Sequence, residues 1–235
     1  GRMDRVARRA GVPTAFYHGK LQDGLALDPL TGYSRALVPW FAQQPFARQL
    51  VLTKSAQPDA LLGLEHGGRT ILSWSVNPPE VVARFGENVP GLEERLDAMR
   101  RCADAGYPVR AVLMPIVPVE GWAEIYGQFV RRLVAEFPVR RLTLGGICSY
   151  RGARGLMERR LGADNVISRH VAAGGESLDG RARYAEELRV EMYGRLLCAA
   201  RETRPDIELA LCLEEPSVWR AVNLNSRLGR CNCVL

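Results

Sequence analysis

The stretch from Arg48 to Pro78, RQLVLTKSAQPDALLGLEHGGRTILSWSVNP, constrains the fold more than any other part of the chain. It holds two short apolar runs, QLVLT and TILSWSV, with a helix-compatible segment between them. Strand, crossover helix and second strand make a parallel β-α-β unit. Both runs close on polar groups: Lys54 and Ser55 on the first, Ser75 and Asn77 on the second. Parallel α/β folds bind ligands at the carboxyl ends of their strands, so one unit predicts both the architecture and the place of the chemistry.

The alternation continues along the chain. Residues 1–12 form a polar, Arg-rich lead-in, and TAFYHG at 14–19 reads as a strand. A helix is expected from Thr31 to about Ala42, with Tyr33, Leu37, Trp40 and Phe41 at helical spacing. NPPEVVARFGENVP reads as a loop because its prolines discourage a regular helix. Leu92 to Ala105 is an amphipathic helix that stops at Gly106. Further strands are expected at 109–116, 141–147 and 207–213, with helices at 121–137 and 183–204 and a short one in EPSVWRAV. Between them, 151–180 carries an Arg-rich helix followed by the Gly-rich loop VAAGGESLDG, and 223–235 is an irregular tail. Such alternation means parallel strands. No G-x-G-x-x-G follows a strand and no Walker motif occurs, which argues against dinucleotide and NTPase folds. The expected fold is α/β, a single domain over 1–235 built as a partial (β/α) barrel of about five to six parallel strands.

Composition refines this. A chain of 235 residues suits one α/β domain. No run approaches the ~18–20 apolar residues of a membrane span, and no membrane partner and a cytoplasmic setting are expected. The opening GRMDRVARRAG lacks an initiating Met and begins without a strand, so the chain is expected to start partway into a longer gene product. Net charge is +6 and the pI is near 9.2, which favours a polyanionic partner. Nearly all the positive charge is Arg; Lys20 and Lys54 are the only lysines and stand out for it. Arg151, Arg154, Arg159 and Arg160 form a basic cluster suited to phosphates, the plainer alternative being a solvated helix face. The six cysteines make no disulfide framework and are expected to be reduced. Only Cys231 and Cys233 are a close pair, too few ligands for a closed metal site.

In series the chain carries DGLALDPLTGYSRALVPWF, LVLTKSA, EHGGRTILSWSVNP, LEERLDAMRRCADAGYPV, MPIVPVEGWAEIY, RYAEELRVEMY, LALCLEEPSVW and GRCNC. Together these resemble the spore photoproduct lyase family of radical SAM proteins, and more closely its relatives outside spore-formers. The resemblance implies a partial barrel that binds S-adenosylmethionine and a [4Fe–4S] cluster. The cluster cleaves the cofactor reductively, and the resulting 5′-deoxyadenosyl radical abstracts hydrogen from a thymine-dimer lesion in DNA; that chemistry belongs to the cofactors. Two features depart from the family. Its C-x3-C-x2-C cluster motif lies upstream of the DGLALD segment, whereas residues 1–20 here contain no cysteine. The barrel is therefore expected to lack its first unit, with association through the sheet edge this would leave open. And Lys20, in FYHGKLQD, falls where lesion-cleaving members place a hydrogen-donating cysteine. The implied function is a spore photoproduct lyase-like lyase acting on a pyrimidine-dimer-type lesion, for DNA repair, or on a related substrate. The alternative is a cluster-free partial barrel that binds a nucleotide or nucleic acid without catalysis.

By the same resemblance, Lys54 pairs with the methionyl carboxylate of the cofactor as a point charge; otherwise it is a solvated loop lysine. Ser75 and Asn77 hydrogen-bond the amino-acid moiety or ribose, or else serve turn and cap roles. Gln22 and Asp23 fall where family members contact the ribose, the alternative being that Asp23 or Asp28 caps the following turn. Met114, Pro115 and Ile116 would form an apolar edge near the adenine. Glu214 stands at the last strand end, as a group at the barrel mouth or a helix N-terminal acid. His66 reads as structural, and His18 and His170 make no metal pattern with it.

Overall fold

The computed structural model describes residues 2–18, 22–86, 88–174 and 179–235. Its elements are α1 (Arg2–Ala10), β1 (Thr14–His18), α2 (Asp28–Thr31), α3 (Tyr33–Ala42), β2 (Ala47–Thr53), β3 (Thr70–Val76), α4 (Pro79–Phe85), α5 (Leu92–Asp104), β4 (Val109–Leu113) and α6 (Trp122–Glu136). Then follow β5 (Arg141–Leu144), β6 (Cys148–Ser149), α7 (Arg151–Leu161), α8 (Val166–Gly174), β7 (Ala182–Arg183), α9 (Glu186–Thr203), β8 (Glu208–Leu211), α10 (Pro216–Ala221) and a 3-10 turn at Asn225–Arg227. Six strands form one parallel sheet in the order β1-β2-β3-β4-β5-β8, and β6 pairs with β7 in a small antiparallel ribbon. Sequential order with every pair parallel is the half-barrel expected from the alternation. Strands buried on both faces read as near-continuous apolar runs, and all seven residues of β3 are buried.

Four elements differ from the expectation. No helix crosses between β2 and β3. The segment forms isolated turns, with Leu61 N–H donating to Pro58 O at 2.8 Å and Leu64 N–H to Leu61 O at 3.2 Å. Gly63, at φ +81, breaks the helical path. Side chains hold the segment instead: Trp74 Nε1 donates to Ser55 O at 3.0 Å and the Tyr107 hydroxyl to Leu61 O at 2.9 Å. Conversely, part of the supposed loop NPPEVVARFGENVP is α4. Pro79 occupies the first turn, where its missing N–H costs nothing, and Val81 and Val82 N–H reach back to Pro78 O. The helix expected from Thr31 is divided into α2 and α3, and Asp28, buried, accepts from Ser34 N (2.9 Å) and Oγ (2.5 Å). The VAAG of the supposed Gly-rich loop is the end of α8.

Register sorts the inner face of the sheet into layers. Ser73, Arg110, Arg141 and Glu208 are successive partners across β3, β4, β5 and β8. One pleat higher, Ser75, Val112, Thr143 and Ala210 form the next layer. The tail lies on the lower layer. Asn232 Oδ1 accepts from Ser73 Oγ at 3.1 Å, Asn232 O and Val234 O accept from Arg110 Nη1, and Cys231 O and Val234 O accept from Arg141 Nη1. Arg141 also pairs with Glu208 at 2.9 Å. Burial, with Arg141 as a like charge nearby, lowers the Arg110 pKa to about 10. Contrary to the expectation of reduced thiols, Cys231 and Cys233 are joined as a disulfide, which brackets the buried Asn232; Cys102, Cys148 and Cys198 are free. Among the described residues no helix is long and apolar enough to cross a membrane.

Asn232→Ala would leave Ser73 without its acceptor and loosen the tail. The expected loss is about 1–3 kcal/mol of stability, measured as a lower urea midpoint; an unchanged midpoint would show that the tail contributes nothing to the floor.

Candidate functional site

Lys54, Ser75 and Asn77 stand together. They line a cleft of about 200 Å³ at the carboxyl ends of β2, β3 and β4, closed by Val81, Val82 and Phe85 of α4, by Met114, Pro115 and Val117 after β4, and by Ile167 of α8. Ser75 is the last inward-facing residue of β3, and Asn77 follows one pleat beyond. The Asn77 amide is fixed from below, its Oδ1 accepting from the Tyr126 hydroxyl at 3.1 Å while that hydroxyl accepts from Val117 N at 2.9 Å. Burial raises the Tyr126 phenol pKa, so it stays a neutral donor.

The apolar rim follows from the end of β4. Leu113 O accepts from Gly145 N at 3.1 Å, and Ile116 N donates back to Gly145 O at 2.8 Å, so Met114 and Pro115, joined by a cis bond, bulge between the two. A side chain on Gly145 would meet Met114 Sδ at 2.8 Å; the glycine makes room for it. Ile116, fully buried, belongs to the core rather than the rim.

Asp23 is placed differently from the other cofactor candidates. Its Oδ1 accepts from Leu25 N (2.8 Å), Ala26 N (3.0 Å) and Thr53 Oγ1 (2.7 Å), and its Oδ2 from Lys54 N (2.6 Å). This carboxylate is a clasp: it ties the 22–26 turn to the end of β2 and fixes the backbone from which Lys54 projects. Gln22, next to it, is exposed and does not line the cleft. Lys20 lies outside the described residues.

Other candidates are spread apart. His66 stacks on Tyr107 at 3.9 Å and contacts Ala105 O at 3.2 Å, joining the β2–β3 connection to the end of α5. His18 meets Gln49 and His170 lies edge-on to Tyr184. Glu214 is almost fully buried in a network in which Arg189 pairs with it and with Glu215, while the Tyr193 hydroxyl donates to Glu214 and accepts from Gly146 N at 2.7 Å. Arg151, Arg154, Arg159 and Arg160 all lie on α7, which buries no residue; Arg154 pairs with Glu158 at 2.8 Å. Among the described residues no group of three His, Cys, Asp or Glu is placed to hold a metal ion.

Sequence reasoning missed one residue of the cleft. Arg95 lines it from α5, is 2 % exposed, and donates through Nη1 to Ser75 O at 2.9 Å and through Nε to Gly91 O at 3.3 Å. The signal was present: Arg95 falls on the helix face of Leu92, Leu96, Met99 and Cys102, where an amphipathic pattern calls for an apolar residue.

Asp23→Ala would release the end of β2. Lysine-specific cleavage can occur only after Lys20 and Lys54, so digestion at Lys54 is expected to accelerate, with a stability loss of about 1–3 kcal/mol. An unaltered cleavage rate at Lys54 would refute the clasp.

Residues 3–145 match the family model described as spore photoproduct lyase. Spore photoproduct lyase of Bacillus subtilis strain 168 is 31 % identical over 133 residues, which are 57 % of this chain and 39 % of that protein. The Geobacillus sp. strain Y412MC61 protein of the same name is 28 % identical over 131 residues, 56 % of this chain and 38 % of that one. The matched region thus spans about two fifths of these relatives' length. Among solved structures, spore photoproduct lyase complexed with dinucleoside spore photoproduct superposes with a TM-score of 0.76 at 22 % identity, covering 88 % of this chain and 63 % of that one. A mutant form with bound AdoMet and dinucleoside spore photoproduct gives the same values. The partial barrel is therefore a fold shared with these proteins.

Proposed function

The chain belongs to the spore photoproduct lyase family, and from that premise we propose that its cleft binds S-adenosylmethionine as part of a radical SAM lyase-like protein acting on a pyrimidine-dimer-type lesion in DNA or a related substrate. The observation that carries this reading is the convergence of Lys54, Ser75 and Asn77, from two different strand ends, on one cleft with an apolar rim at Met114 and Pro115. The donor set suits the ligand: a cation for a carboxylate, a hydroxyl and an amide for amino or ribose groups, and a thioether and pyrrolidine ring for an adenine face. Bound there, S-adenosylmethionine would supply the reactive adenosyl carbon. The chain's own residues bind and orient it. Asp23 holds the Lys54 backbone, Tyr126 holds Asn77, and α4 with Ile167 excludes water from the apolar side.

An iron–sulfur cluster does not fit the residues present. Cys102, Cys148, Cys198 and Cys212 are dispersed along the sequence, the tail pair is joined as a disulfide, and residues 1–20 contain no cysteine. No step is assigned to a cluster on this chain. The lesion-class substrate is proposed because relatives carry dinucleoside spore photoproduct in their structures. The exposed α7, with Arg151, Arg154, Arg159 and Arg160, is the face proposed to meet phosphates.

Calorimetric titration with S-adenosylmethionine tests the reading. One-to-one binding is expected, and Lys54→Ala, whose side chain stands clear of the core, should weaken it by about 1–2 kcal/mol, roughly five- to thirtyfold. No binding at millimolar ligand, or full affinity in the folded variant, would reject it.

A further inference from the structure

The chain buries five arginines in all among its described residues: Arg95, Arg110, Arg141, Arg183 and Arg189. Arg141, Arg183 and Arg189 each pair with a carboxylate, on Glu208, Asp179 and Glu214 respectively. Arg110 takes two tail carbonyls and lies in the field of Glu208. Among the described residues Arg95 has only neutral partners, the carbonyls of Ser75 and Gly91, and its Nη2 has none. Burial lowers its pKa, and no described acid offsets that burial. Taking a guanidinium out of water without a counter-charge is costly, and the arrangement persists where something else repays it. Arg95 is in the wall of the cleft, beside Ser75 and in the same pocket as Lys54.

We infer that Arg95 is a ligand-binding residue whose Nη2 donates to a carboxylate of the bound molecule, closing an anion site of which Lys54 is the other cation. The inference rests on the reading of the cleft as the S-adenosylmethionine site, where the carboxylate is that of the methionyl group. The two cations differ in kind. Lys54 is an exposed point charge on a flexible stem, free to swing out with its ligand. The Arg95 guanidinium is held at Nε and Nη1 by backbone carbonyls, so its orientation is set before the ligand arrives. Such a site favours S-adenosyl compounds that keep a free α-carboxylate over those that lack it. It also fixes the amino-acid end of the ligand to β3, through the same guanidinium that grips Ser75 O.

The test is calorimetry of the wild-type chain, Arg95→Met and Arg95→Lys with two ligands, S-adenosylmethionine and decarboxylated S-adenosylmethionine, which differ only in the carboxylate. Arg95→Met is expected to weaken S-adenosylmethionine ten- to a hundredfold and to leave the decarboxylated ligand within about twofold, with Arg95→Lys intermediate. Equal losses for both ligands would make Arg95 a support for Ser75 and overturn the inference; so would unchanged affinity for S-adenosylmethionine. Should Arg95→Met not fold, Lys54→Ala carries the test. With Arg95 in place it should still prefer S-adenosylmethionine over the decarboxylated ligand, and loss of that preference overturns the inference. A wild-type chain that binds neither ligand refutes the reading of the cleft itself, and this inference with it, whereas wild-type binding with an indifferent Arg95 refutes the inference alone.

Discussion

A parallel sheet has to be covered on both faces, and this chain has helices enough for one. Helices α5, α6 and α9 cover the outer face, with Leu96, Met99, Tyr126, Leu133, Met192 and Leu196 all buried in one core. The inner face is covered by whatever can reach it. At the lower layer that is the tail, whose carbonyls accept from two buried guanidiniums. At the upper rim it is a set of connections, α4, the Met114–Pro115 bulge and α8, that cannot close completely and leave a cleft. The candidate site is the part of the inner face that the chain does not fill.

That division gives the polar residues of the inner face distinct work. Asp23 and Asp28 both accept backbone N–H groups in the segment leading into α3, so that turn is shaped by carboxylates as well as by the packing of Leu25 into the core. Tyr126 and Arg95 reach up from outer helices to hold Asn77 and the Ser75 carbonyl from behind. Ser75 and Asn77 are thus each held through a buried partner on another element, which is how a small site is kept in one geometry.

The sequence carried the architecture well, because branched and apolar strand runs with intervening amphipathic helices leave few alternatives to a parallel sheet. It was legible that Lys54, Ser75 and Asn77 end strands; their shared cleft follows from that and from the order of the sheet. What misled was local punctuation. Gly63 and the Gly67-Gly68 pair outweigh an otherwise helical composition between β2 and β3, whereas Pro79 starts a helix where prolines suggested none. That Asp23 caps the following turn was legible as one of two readings, but its bonds to Thr53 and Lys54 were not, because those donors lie 30 and 31 positions away. Arg95 was hidden by its helix, where one charged residue in the apolar stripe reads as an irregularity until the cleft is seen. The joining of Cys231 to Cys233 has no signal beyond their spacing.

The floor of the half-barrel also sets an order in time. Asn232 lies 159 positions from Ser73 and 122 from Arg110, and Cys231 lies 90 from Arg141. Contacts of such separation close large loops and form after local ones. The helices and strand pairs can assemble around a wet interior in which Arg110 and Arg141 keep their hydration, and only the arrival of the tail dries it. A nascent chain would therefore carry all three polar groups of the cleft well before the layer beneath them is rigid, and the cleft would settle with the arrival of residues 231–234 rather than with the strands that bear it.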